Sequence, residues 1–128
     1  LTADARAVLP PTVSRADAIF NASRVALLLH ALTSGEPDCL RVAMADRLHQ
    51  PYRLPLIPGA TVAYDAAYEA GALGVALSGA GPSLLAFVED DGAAVGQAMA
   101  DAFAAAGLAS RTWQLRPAAA GARLAHGG

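Results

Sequence analysis

Lysine is absent, and all nine basic residues are arginines. A phosphate grip built on a Walker lysine is therefore excluded on this chain, because nothing here supplies that ammonium. Cysteine occurs once, as Cys39, which excludes an internal disulfide and any CxxC pair and fits a reducing, cytoplasmic compartment. Charge is scarce, at 16% of residues against a usual share of about 25%, while 55% are hydrophobic. That excludes a disordered tail or a solvating acidic segment. The formal net charge of -2 offers no basic footprint, so nucleic acid is not an expected partner. A long unbroken hydrophobic run is also lacking. Residues 70–88 carry no charge, but Gly71, Gly74, Gly79, Gly81 and Pro82 interrupt them, and Ser78 and Ser83 sit mid-stretch. They read as strand, turn and strand rather than a membrane span. No secretory leader is expected, since Asp4, Arg6, Arg15 and Asp17 fall within the first twenty residues.

What is present is alanine, at 33 of 128 positions. One domain of closely packed, Ala-rich helices is the expectation. The first residue is Leu rather than Met and leads straight into patterned sequence, which suggests a piece of a longer protein.

The first segment, Thr2 to Val8, is a short helical turn or an extended entry, stopped by Pro10 and Pro11. Ser14 to Asp17 reads as a capping box opening a helix over 15–33 that Ser34-Gly35 ends. Ile19, Ala22, Ala26, Leu29 and Leu32 recur at spacings of three and four and mark its buried face. Pro37 suits the first turn of a second helix over about 37–50, with Leu40, Met44 and Leu48 on one face. Pro51, Pro55 and Pro58 then bar regular structure. A third helix over about 60–70 carries Val62, Ala66, Ala67 and Ala70 and stops at Gly71. Buried strands are expected at 73–77 and 84–88, an Ala-rich helix over 91–106, and a strand at 109–116, where Trp113 and Leu115 alternate with Thr112, Gln114 and Arg116. The tail, 117–128, is loose, with Ala122 to Leu124 a candidate edge strand. The fold class is α+β with an antiparallel sheet.

Three places offer chemistry. In the loop Ser78-Gly79-Ala80-Gly81-Pro82-Ser83, two glycines allow positive φ and close approach, so successive amides can form an anion nest. A plain tight hairpin explains the same residues. The run Asp46-Arg47-Leu48-His49-Gln50-Pro51-Tyr52-Arg53 gathers polar groups at a helix end. There Arg53 suits a carboxylate and His49 suits a base or a structural hydrogen bond, while a solvated helix end complementing the dipole is the rival. Thr2 and Arg6 share a face if their stretch is helical. Asn21 reads as a structural hydrogen-bonding residue, and Asp90-Asp91 as a helix start. His30 and His126 lack metal-ligand company, so no metal site is expected.

Together these segments resemble the C-terminal domain of the homoserine kinases, in the GHMP small-molecule kinase superfamily, over nearly the whole chain. GVALSGAGPSLLAFV (Gly74 to Val88) is similar to the superfamily's third motif. The narrower likeness rests on DRLHQPYR (Asp46 to Arg53), PLIPG (Pro55 to Gly59), the Thr2…Arg6…LP opening and DAIFNASRVALLL (Asp17 to Leu29). The resemblance implies a ferredoxin-like α+β domain, residues 1–128, with an antiparallel sheet and helices packed on one face. It implies phosphoryl transfer from ATP, with Mg, to the hydroxyl of L-homoserine in threonine biosynthesis. Arg6 and Arg53 match the arginines that hold the homoserine carboxylate; His49 joins them by its chemistry alone, in a supporting role, and no catalytic base is named. Thr2 matches a threonine near the reacting centre. Ser78, Gly79, Ala80, Gly81 and Ser83 match the glycine loop that buttresses the phosphate-binding loop. The phosphate-cradling PxSxGLGSSAA-type motif and the metal-binding Glu of that family are not in these residues, so ATP and Mg would be held mainly by an N-terminal domain. The chain alone is expected to be inactive and, through an uncovered apolar face, to self-associate, with a homodimer as one form. Two rivals stand beside this. One is the same domain of a mevalonate-pathway kinase, against which HQPYR argues. The other is a non-catalytic α+β ligand-binding module, since fold alone decides nothing.

Overall fold

The computed structural model describes residues 2–121, apart from the side chain of Thr2. The sequence-predicted edge strand at 122–124 lies outside the described residues, as does His126. Helix α1 spans Thr2–Ala7, and its turn closes with the Val8 and Leu9 amides before Pro10. Helix α2 spans Arg15–Ser34. Ser14 caps it as the capping box requires: its hydroxyl accepts the Asp17 amide at 3.0 Å and donates to the Asp17 carboxylate at 2.6 Å. Gly35 closes it in the left-handed region, at φ 71°.

The buried face of α2 is not the one the apolar spacing marks. Ile19, Ala22, Ala26, Leu29 and Leu32 are all exposed. The helix turns Phe20, Asn21, Arg24, Leu27, Leu28 and Ala31 inward instead. Helical periodicity fixes a spacing, not which of two stripes finds a partner. Here polar contacts set the phase. Asn21 bonds across to residues 46 and 47, Arg24 donates to the Val42 carbonyl, and the Arg24 and Arg47 guanidiniums lie over the Phe20 ring at 4.5 and 3.9 Å.

The helix expected over 37–50 is broken. A 3₁₀ turn at Pro37–Cys39 leads into α3, Leu40–Ala43, and the chain then bends until α4, Gln50–Arg53. The Asp46 carboxylate captures the amides of Leu48, His49 and Gln50, which an uninterrupted helix would have used in its own ladder. Nor do the prolines bar regular structure: Pro51 and Pro55 sit at the starts of α4 and of a 3₁₀ turn, Leu54–Leu56, where a missing amide costs nothing. Helix α5, Ala60–Glu69, buries Ala60, Ala63 and Ala67, while Val62 is exposed.

Strands β1 (Gly74–Leu77) and β2 (Leu84–Phe87) pair antiparallel, with Val75 opposite Ala86 and Leu77 opposite Leu84. The amides of Val75 and Leu77 point away from β2 and are met by side chains: Tyr68 Oη at 3.0 Å and Gln50 Oε1 at 2.7 Å. Two helices thus close this sheet edge without a third strand. Helix α6, Ala93–Ala105, is opened by Asp90 and Asp91, whose carboxylates accept the Gly92 and Ala93 amides, and Gly107 ends it. Ala67, Ala72, Val75 and Val95 form the core between α5, the sheet and α6. The strand expected at 109–116 does not form. Residues 109–116 are exposed and irregular and pair with no described strand; Thr112 bonds the Gly96 carbonyl on α6. The α+β class stands, with helices packed about a two-stranded antiparallel sheet.

Candidate functional site

Residues 46–53 act as a bracket rather than as a solvated helix end. Asp46 is its anchor. Its carboxylate accepts the Asn21 carboxamide at 2.6 Å and the amides of Leu48, His49 and Gln50 at 3.2, 2.8 and 2.6 Å. Asn21 completes the loop by accepting the Arg47 amide at 3.0 Å, which is the structural role its apolar neighbours suggest. Burial pushes the Asp46 carboxyl up, but the hydrogen bonds from His49, Asn21, Gln50 and Leu48 outweigh it and hold it below its ordinary value. A lowered folded-state pKa adds stability that is fully present above the ordinary carboxylate value of about 3.9 and is lost as pH falls from there through the lower folded-state value. Asp46→Asn, which keeps only one acceptor oxygen, should therefore cost about 1–3 kcal/mol at pH 7. Urea denaturation should show that gap narrowing toward pH 3; a gap independent of pH would contradict the assignment.

Arg53 closes the other end of the bracket. Its Nε donates to the Ala5 carbonyl of α1 at 2.9 Å, and one terminal nitrogen donates to the Gly79 carbonyl at 3.3 Å. One guanidinium therefore joins the helix that carries Arg6 to the glycine loop, three segments far apart along the chain. Two bonds leave the second terminal nitrogen and one further N–H for a ligand. The Arg6 side chain is exposed and makes no hydrogen bond or ion pair among the described residues. His49 Nδ1 is buried without a partner, while its backbone amide is held by Asp46. The Thr2 side chain lies outside the described residues.

The glycine loop has the geometry its residues predict. Gly79 and Gly81 take φ of 59° and 83°, and the Gly81–Pro82 bond is cis. The Ser78 amide donates to the Ser83 carbonyl at 2.8 Å and the Gly81 amide to the Ser78 carbonyl at 3.0 Å. The amides of Gly79 and Ala80 have no acceptor among the described residues. Gly81 is packed tightly: a side chain there would meet Ile57 Cδ1 at 2.5 Å. Gly79, by contrast, has nothing within 4 Å, so the loop is fixed on one side and open on the other.

Cavities of about 390 and 250 Å³ lie elsewhere, the first between Gly96, Gln97 and Trp113, the second between Gly71, Glu89 and Val95. Among the described residues no group of three or more His, Cys, Asp or Glu gathers in one place. No described helix is long and apolar enough to cross a membrane. The structure brings Arg53 and the glycine loop together and adds Gln50, whose signal in the sequence is faint: a polar residue inside a stretch already crowded with polar residues.

The family model described as "GHMP kinases C terminal" matches residues 28–105. Among curated proteins, a homoserine kinase of Moorella thermoacetica is 51% identical over 91% of this chain and 40% of its own length. One of Synechococcus sp. is 50% identical over 96% of this chain and 40% of its own. A crystal structure of homoserine kinase from Cytophaga hutchinsonii superposes with a TM-score of 0.78 at 36% identity, covering 82% of this chain and 34% of that one. The chain thus spans about 40% of the length of those curated relatives.

Proposed function

The chain belongs to the GHMP kinase C-terminal family, and from that premise we propose that it is the substrate-side part of a homoserine kinase. In this reading a cytoplasmic enzyme of threonine biosynthesis moves the γ-phosphoryl group of ATP to the hydroxyl of L-homoserine. The observation that carries it is Arg53, whose guanidinium ties α1 and the glycine loop together while keeping N–H groups free. Those groups and Arg6 take the amino-acid carboxylate, with His49 beside them and Thr2 near the reacting hydroxyl. Ser78, Gly79, Ala80, Gly81 and Ser83 back the phosphate-binding loop of an N-terminal domain, which holds ATP and Mg. Phosphoryl transfer rests on positioning and charge neutralisation, and this chain supplies the positioning of the acceptor.

The test is an ADP-release assay of the protein carrying this chain joined to its N-terminal domain. Turnover with L-homoserine and none with mevalonate is expected; the reverse would move the assignment to a mevalonate-pathway enzyme. The 128-residue chain by itself should give no turnover.

The outward stripe of α2 supports self-association of the isolated chain. Ile19, Val25, Leu29 and Leu32 are 62%, 60%, 60% and 53% exposed on one helix. Apolar stripes of this kind are normally covered. Sedimentation velocity should show mass rising with concentration, toward a dimer. Ile19→Asp with Leu29→Asp should abolish the rise while leaving the denaturation midpoint nearly unchanged; a monomer at every concentration would sink the idea.

A further inference from the structure

Gln50 is the single buried polar side chain among the described residues, only 6% exposed, and the substrate reading gives it no task. Both ends of its carboxamide are engaged. Oε1 accepts the Leu77 amide at 2.7 Å, and Nε2 faces the Met44 carbonyl at 3.4 Å. Leu77 is the last residue of β1, and Ser78 opens the glycine loop directly after it. Three residues along α4, Arg53 holds the Gly79 carbonyl. Residues three apart on a helix share a face, so one turn grips the end of the incoming strand at Leu77 and the loop itself at Gly79. The Leu77 amide has no strand partner on that side, so without Gln50 it would be a buried donor with nothing to meet. Gln50 is itself fixed, because its backbone amide is bound by Asp46 at 2.6 Å.

We propose that Gln50 is a positioning residue: its carboxamide sets where β1 ends, and hence how the Ser78–Ser83 loop sits against Arg53, without touching substrate. The kinetic consequence rests on the homoserine kinase reading; the placement of the loop does not. Gln50→Met keeps the side chain's length but leaves the Leu77 amide without an acceptor. Gln50→Glu keeps an oxygen in the same place.

Amide NMR of the 128-residue chain tests the placement. In Gln50→Met, exchange of the Leu77 amide should quicken by about 10-fold or more, and the Gly79, Ala80 and Gly81 resonances should move. Those of Ala63 and Ala67 should not, and Gln50→Glu, which keeps the acceptor for Leu77 but loses the donor to Met44, should return the Leu77 and loop resonances part of the way. Should Gln50→Met fail to fold, Gln50→Asn, too short to reach Leu77, is read in the same way. In the protein that includes the N-terminal domain, Gln50→Met should lower kcat by about 10–100-fold while KM for L-homoserine stays within about 2-fold. Gln50→Glu should recover part of the loss, since it keeps the acceptor for Leu77 and loses only the donor to Met44. Unmoved loop resonances, shifts spread evenly through α5, or a KM that rises as kcat falls would overturn the proposal. A wild-type protein that turns over no homoserine would instead sink the kinase reading and leave the NMR result standing.

Discussion

Arg53→Ala, in the protein that includes the N-terminal domain, should raise KM for L-homoserine by about 10–100-fold and lower kcat by less. A charge-assisted hydrogen bond contributes about 1.5–3 kcal/mol, and a substrate carboxylate released from the guanidinium loses one or two of them in the ground state as well as the transition state. The smaller fall in kcat has its own cause. Arg53 also bonds the Ala5 and Gly79 carbonyls, so its removal loosens the glycine loop and α1 together. Arg53→Lys separates the two roles. A single ammonium carries the charge but cannot span both carbonyls in the planar fork that the guanidinium offers. It should recover part of the KM effect and little of the kcat effect. Steady-state kinetics with homoserine varied at saturating ATP is the measurement. A KM that does not change in Arg53→Ala would remove Arg53 from the carboxylate and leave it a strut between α1 and the loop.

That double duty explains how much of the site could be read from residues alone. Glycines at 79 and 81 between two apolar runs forecast a hairpin with positive φ, and the structure has one, because that requirement is local to the backbone. The Ser14 cap, the Gly35 stop and the Asp90-Asp91 helix start were legible for the same reason. What could not be read was anything decided by a distant partner. The apolar stripe of α2 has the right period but faces outward, since Asn21 and Phe20 find residues 46 and 47 on the other side. Trp113 and Leu115 alternate like strand residues, yet no described strand lies beside them. The stretch 46–53 has the pattern of a polar helix end, yet the side chains of Asp46, Gln50 and Arg53 are spent inward, on Asn21, Leu77, Ala5 and Gly79. Polar residues in a run betray that hydrogen bonds will be made, not with whom.

Gly59 gives the sharpest test of packing by a residue that the sequence marks only as the close of the PLIPG run. It precedes α5 at φ 76°, and a Cβ built there would lie 2.8 Å from Ala106 Cβ, 3.2 Å from the Ala102 carbonyl and 3.5 Å from Phe103 Cα. The last two of those atoms are backbone of α6 and cannot swing aside. Gly35 is the natural comparison: its φ is 71°, but nothing lies within 4 Å. Both substitutions to Ala carry the left-handed penalty, about 1–2 kcal/mol. Only Gly59→Ala adds overpacking, about 1–3 kcal/mol more, because α5 must move off α6. Urea denaturation of the two variants should therefore show Gly59→Ala losing about 2–5 kcal/mol and Gly35→Ala about 1–2 kcal/mol. The difference isolates the close approach of the helices from the backbone conformation. Equal losses would mean that α5 and α6 part freely at this end, and that glycine closes the PLIPG run for its φ alone.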